Sequence, residues 1–419
     1  MKKTLALLSL LSLAGAVVAK PALTVGTPTY DPVSRLMTVA YALSEPAVVT
    51  ASLSTNGAPV DIAKLNYFGG DVFRLVSNET ATVVWRVDGD FPGAQFDAEA
   101  VTVELTAWSV DAPPDYMVID LNVRNCVRYY ASSNDIPGGV GLGSSDLNRM
   151  ERLVMRRIPA KDVTFRMGSP DTGKYPNRST SEVAHLVTLR NDYYMGIYPV
   201  TQAQFAKFRT GTAVYCDKED SAIRPVEKTY YDALRGSTAD GIDWPTTGTN
   251  VLASSYCGLL RDWSGVAVDL PTEAQWEYAA RAGSPSELTS GLEMVGNGNA
   301  TSDANINPLG WMKQEAINVY GSAQTGPVGT HLPNNWGLYD VQGNNYEICR
   351  DWYVADLTTL DNPSDEPSGP SSGTARVLRS GTFKWNVVNS RLSCRGSVAP
   401  AYAYNDANGF RLYAPYVAK

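Results

Sequence analysis

The chain has 419 residues, 44% hydrophobic and 19% charged, which gives it the length and apolar content for two or three packed domains and excludes a disordered chain. A formal charge of −8 without any Lys/Arg-rich run argues against nucleic acid or an anionic membrane surface as the main partner, leaving a small molecule, glycan, protein or cation. His185 and His331 are the two histidines, too few for a multi-histidine metal site, and Cys126, Cys216, Cys257, Cys349 and Cys394 form no CxxC of the zinc or thioredoxin kind.

Residues 1–19, MKKTLALLSLLSLAGAVVA, combine two lysines, an apolar run from Leu5 to Val18, and small residues at Val17 and Ala19. This is the pattern of a bacterial secretory signal peptide cleaved after Ala19, so the mature protein is expected outside the cytoplasm: secreted, periplasmic or on the cell surface. The run is too short to span a bilayer, and no later segment is long and apolar enough to be transmembrane. In an exported protein cysteines can pair, but an odd number leaves at least one free.

Residues 20–121 alternate apolar and polar positions in LTVGTPTY, RLMTVAYAL, AVVTASLST, ATVVWRV and AVTVELTAWSV, separated by turn-formers such as Asn56-Gly57 and Pro92-Gly93. Period-two runs spaced by turns predict an all-β sandwich with Trp85 in its core, similar in pattern to fibronectin or immunoglobulin modules. Its acids, Asp88, Asp90, Asp97 and Glu99, are expected on a solvated rim, with a cation loop as the alternative. Residues 122–150 include SSNDIPGGVGLGSSD and are expected to run as a surface linker.

From residue 151 to 415 helical signals return. Thr201 is a natural N-cap for a helix that turns Phe205 and Phe208 inward. In LPTEAQWEYAARAG (Leu270 to Gly283), Thr272 and Gln275 form a capping box, Trp276, Ala279 and Ala280 make the buried stripe, and Gly283 ends the helix. Cys257 falls on a helix predicted from Ala253 to Asp262, as a buried structural thiol. The stretch Pro327 to Tyr353 gathers Asp340, Glu347 and Asp351 among Trp336, Tyr339, Tyr346 and Trp352, too irregularly for one helix or strand. It reads as a buried, turn-rich core segment whose carboxylates cap loops or bind a cation.

These blocks resemble a known family. FRMGS (Phe165 to Ser169), Glu182 and His185 with VTLRNDYYMGIYPVTQAQFAKF, RPVEKTYYDA, LPTEAQWEYAARAG, GLYDVQGNNYEICRDWY and RVLRSGTF…GFRL (Arg376 to Leu412) occur in the order seen in the formylglycine-generating enzyme (sulfatase-modifying factor) family. The resemblance implies an α+β, C-type-lectin-like formylglycine-generating-enzyme fold with little regular secondary structure, following the N-terminal β-sandwich. It also implies that His185 is a structural strand-entry residue. His331 is expected to be exposed.

Catalytic members of that family oxidise cysteine to formylglycine at copper(I) held by two cysteines. Here the resemblance puts Trp385 and Ser390 at those positions, and neither is a copper(I) ligand. Cys394 is the one thiol nearby, so no copper is expected and no catalytic residue is assigned. The alternative is a sulfatase-modifying oxidase with a rearranged site. Related domains without the cysteines, including variable proteins of diversity-generating retroelements, are binding scaffolds. By that likeness Gly381, Phe383, Arg391, Arg395, Gly409, Phe410 and Arg411 are framework. The ligand-binding surface, for an unidentified protein or glycan, is Trp385, Asn386, Asn389, Ser390, Ser393, Tyr402, Tyr404, Asn405, Asp406 and Asn408, a Tyr/Asn/Ser/Trp mixture suited to recognition. The family's structural calcium implies one site at Asp340, Gly343, Asn345 and Glu347, and a second beginning at Asn305 and Ile306.

Overall fold

The computed structural model describes residues 20–77, 79–93, 100–169, 175, 178–209, 220–296, 299–359, 364–403 and 406–417. The expected leader 1–19, and Asp97, Glu99, Cys216, Tyr404 and Asn405, lie outside the described residues. Among the described residues no helix is long and apolar enough to cross a membrane.

The N-terminal strands form two antiparallel sheets. One joins Leu23–Val25, Thr29–Asp31, Leu36–Leu43, Thr80–Arg86 and Phe68–Gly70; the other joins Ala58–Pro59, Ala47–Thr55, Arg74–Val76 and Val101–Ser109. Alternation sends Met37, Val39 and Tyr41 from one sheet and Val49, Ala51 and Leu53 from the other into a shared core with Trp85. Asn56 and Gly57 link Thr55 to Ala58 with φ of 51° and 73°. A two-residue hairpin with both residues left-handed matches the strand twist, and Asn-Gly accepts it at least cost.

Of the four acids expected on a rim, Asp88 and Asp90 lie among the described residues and both have partners in the fold. Asp90 accepts the Trp85 indole N–H at 2.9 Å and the Asn66 amide N–H at 2.7 Å, while Asp88 pairs with Arg35 and Arg86.

Tyr116–Asp120 leaves the sandwich and enters a second sheet. Its order is Val127–Tyr130, Tyr116–Asp120, Arg152–Ile158, Tyr193–Gly196, Tyr413–Pro415, antiparallel throughout. The stretch 122–150 is therefore no surface linker. It supplies an edge strand and buries Val127, Tyr129 and Ile136, because the short apolar run VRYY, masked by Gly and Ser around it, has a strand to pair with. The two parts touch directly: Phe73 stacks on Tyr130 at 5.1 Å between ring centroids, and the Tyr129 N–H donates to the Phe73 carbonyl at 2.7 Å.

The rest is mixed α+β with long irregular connections. Thr272 caps the helix Glu273–Arg281 and forms the expected box with Gln275; its left-handed C-cap is Ala282. Cys257 is buried on the helix Tyr256–Ser264. Thr201 caps Gln202–Ala206, and Phe205 stacks on Tyr256 at 4.9 Å, with Phe208 edge-on to the same ring.

Candidate functional site

The two C-terminal blocks meet in one four-stranded sheet. Tyr346–Trp352 lies between Arg376–Arg379, antiparallel with a bulge, and Asn408–Gly409, parallel; Gly396–Val398 flanks the outer edge. Every side chain of Arg376–Arg379 is buried. This sheet carries the loop 380–395, which begins with Ser380 and Gly381 at φ 81° and 79°. A Cβ on Gly381 would fall 2.4 Å from the Ser390 hydroxyl, so glycine is required there for the loop to close on itself.

The expected copper positions face opposite ways. Trp385 is 55% exposed, whereas Ser390 is 1% exposed at the end of the turn Val387–Ser390. The Gln342 side-chain amide donates to the Ser390 carbonyl at 2.7 Å and to the Glu287 carbonyl at 3.0 Å, fixing that turn from inside. No sulfur occupies either position. Burial, with the Glu182 charge second, pushes the Cys394 thiol up to about 11; burial pushes Cys257 up to about 12 and Cys349 well above its ordinary value. Thiols held protonated are poor nucleophiles.

Beneath the loop lies a buried lattice of arginines and glutamates. Arg391 forks onto Glu182 at 2.7 and 3.1 Å. Arg379 bridges Glu273 at 2.8 Å and Glu277 at 2.5 Å, and Arg395 takes both oxygens of Glu273 at 2.6 and 2.8 Å. Burial alone would raise Glu273, but the guanidiniums of Arg395 and Arg379 outweigh it and hold the carboxyl below its usual value. Bidentate, desolvated pairs of this kind fix geometry more than they add stability. The spacing Glu273, Glu277, Arg281 on one helix face is the part of this lattice visible in sequence.

Of the residues expected to form a recognition surface, fewer reach the surface than the sequence suggests. Trp385 and Tyr402 are exposed and Asn386 and Asn389 half-buried. Ser390, Ser393 and Asn408 are buried: the Ser393 hydroxyl donates to Glu287 at 2.6 Å, and the Asn408 carbonyl accepts from Thr229. Asp406 pairs with Lys384, tying its loop to the one that carries Trp385.

In the Asp340 to Glu347 turn, the oxygens of Asp340, Gly343 and Glu347 are already engaged. Both oxygens of Glu347 face Arg411, with contacts of 2.8 to 3.2 Å, and Oε2 also accepts the Trp276 indole N–H at 2.6 Å. Asp340 accepts the Gly329 N–H at 2.7 Å and is raised by burial. The Gly343 carbonyl accepts from Ser380 Oγ at 3.0 Å. The amide of the Asn345 side chain is buried without a hydrogen-bond partner. A calcium ion at this set would have to compete with a guanidinium for Glu347, and the residues as placed do not fit it. At the second expected site the Ile306 carbonyl accepts from Leu309 N–H, and the Asn305 side chain donates to the Glu293 carbonyl.

Asp351 lies at the start of the helix Glu273–Arg281, where it accepts the Glu273 N–H. His185 makes the expected structural hydrogen bond, through Nδ1 to the Val183 carbonyl at 3.0 Å. His331 is not exposed. Its side chain is 9% accessible, edge-on to Trp311 and paired with Glu315 at 3.0 Å. Sequence gave no signal for that pairing, since residue 315 sits on a separate helix, Lys313–Tyr320.

The model of the sulfatase-modifying factor enzyme 1-like domain matches residues 154–414. A formylglycine-generating enzyme of Thermomonospora curvata is 30% identical over 252 residues, covering 52% of this chain and 80% of that one. The serine/threonine-protein kinase pkn1 of Chlamydia pneumoniae is 29% identical over 310 residues, covering 70% of this chain and 46% of its own length. Among solved structures, PvdO from Pseudomonas aeruginosa superposes with a TM-score of 0.46 at 23% identity, covering 63% of this chain and 94% of that one.

Proposed function

Because the chain belongs to the formylglycine-generating enzyme (sulfatase-modifying factor) family over residues 154–414, we propose that it is an exported member which has exchanged copper chemistry for ligand binding. What supports this reading is the pair Trp385 and Ser390, one exposed and one buried, at the two positions where the family resemblance puts the copper(I) thiolates. The neighbouring Cys394 has its thiol pushed up to about 11 by burial, and it is a single sulfur where copper(I) needs two. Trp385 and Tyr402, with Asn386 and Asn389 between the framework residues, form the binding face of a C-type-lectin-like fold. A rigid aromatic flanked by adaptable amides gives contact area at low entropic cost. The bracing expected of calcium between Asp340 and Glu347 is assigned to Arg411.

The test is copper(I) titration of the reduced protein, with a cysteine-containing sulfatase-motif peptide and oxygen. The expected result is no stoichiometric tight copper and no formylglycine. Tight copper binding with formylglycine product, lost in Cys394→Ser, would overturn the reading and establish an oxidase with a rearranged site.

A further inference from the structure

Two cavities share a wall. One, of about 730 Å³, lies over the helix Lys313–Tyr320, between the turn Asn307–Leu309 and Leu332-Pro333. The other, of about 720 Å³, opens between the turn Ile62–Lys64 of the sandwich and the Gly/Ser-rich loop that follows Ile136. Leu142 and Tyr339 line both, so the two cavities adjoin at these residues, one beside the sandwich turn and the other over the helix. Each end has the volume of a small-molecule site.

The charges in the lining compensate one another. At the sandwich end Lys64 Nζ lies 3.0 Å from Asp61 Oδ2; at the helix end His331 Nε2 lies 3.0 Å from Glu315 Oε2. Burial opposes the charged imidazole, but the Glu315 hydrogen bond and the Asp340 and Glu315 charges hold it above its ordinary value. Among the described lining residues Lys64 is the one Lys or Arg, and it is already paired, so no free lysine or arginine there awaits a phosphate, sulfate or carboxylate. Hydroxyl and amide side chains line both ends, including Ser144 and Asn134 at one and Gln314 and Asn318 at the other. The dividing wall offers flat apolar contact from the Tyr339 ring and from Leu142, which is 81% exposed. All lining residues lie on loops, short turns and one helix. A peptide backbone therefore finds no strand edge to extend.

We propose that the two adjoining cavities together form a groove that binds an uncharged oligosaccharide chain, whose hydroxyls meet the amides and whose sugar faces rest on Tyr339 and Leu142. The site is separate from the loop carrying Trp385, which lines neither cavity.

The test is calorimetric titration of the whole chain with cello-, manno- and N-acetylated chitohexaose, their disaccharides, an oligogalacturonate and an uncharged Gly/Ser hexapeptide. Saturable binding of at least one uncharged hexasaccharide is expected. Leu142→Arg, at an exposed position, should weaken it by about tenfold or more, the equivalent of about 1.4 kcal/mol. Ala63→Trp at the sandwich end should weaken the hexasaccharide but not the disaccharide. Absence of saturable saccharide binding, tighter binding of the galacturonate or the peptide, or unchanged affinity in Leu142→Arg would overturn the proposal. Equal effects of Ala63→Trp on both saccharide lengths would overturn the span across the two parts.

Discussion

Burial, reinforced by the Glu273 charge, pushes the Asp351 carboxyl up to about 7, far above the value it has in an unfolded chain. Between those two values the folded state binds the extra proton, so folding stability falls as pH rises through this window. Replacing the group with a neutral isostere removes that slope. Asp351→Asn should therefore gain on the wild type between about pH 5 and about pH 8 when urea midpoints are compared, and a constant difference would show that Asp351 does not titrate there. Local roles of this kind were partly legible. The Thr272–Gln275 box follows from adjacent residues alone. The facing of Ser390 and Ser393 was not, because it is set by Gln342, Glu182 and Glu287, which lie far away in the sequence.

At the scale of elements, the strand Tyr346–Trp352 is held from both sides by residues that a period-two reading cannot find. Arg411 reaches Glu347, the Gly196 carbonyl at 2.8 Å and the Tyr339 carbonyl at 2.7 Å, joining this strand to the five-stranded sheet. Chelation of divalent ions should leave the melting temperature of the wild type unchanged. Arg411→Met, which strands the buried Glu347 carboxylate, should cost about 3 to 5 kcal/mol in urea denaturation. A fall in melting temperature with chelator, reversed by calcium, would return the bracing role to a metal ion. The irregular stretch 327–353 was recognisable as a core segment from its aromatics and glycines, but not as a central strand. Its alternation is interrupted by the bulge between Ile348 and Trp352.

For the whole molecule, the sandwich strands were readable because each alternates over a full run, whereas the junction was not. Tyr116–Asp120 and Val127–Tyr130 look like a tail and a linker until Arg152–Ile158 is available to pair with them. A fragment starting at residue 151 lacks both strands and should be insoluble or molten, while one starting at residue 112 should fold. Near-ultraviolet circular dichroism distinguishes the two, and a well-folded fragment from residue 151 would refute the assignment of those strands to the second sheet. The same sheet places Tyr413–Pro415 beside Tyr193–Gly196, and the Tyr416 hydroxyl donates to the Pro113 carbonyl at 2.6 Å, 303 residues away. Contacts so distant along the chain close late, after the entropy of a very large loop has been lost. Until the far end of the chain arrives, Tyr193–Gly196 therefore lacks its partner strand, and that open edge can pair with another chain during synthesis, a delay that favours a bound chaperone over spontaneous collapse.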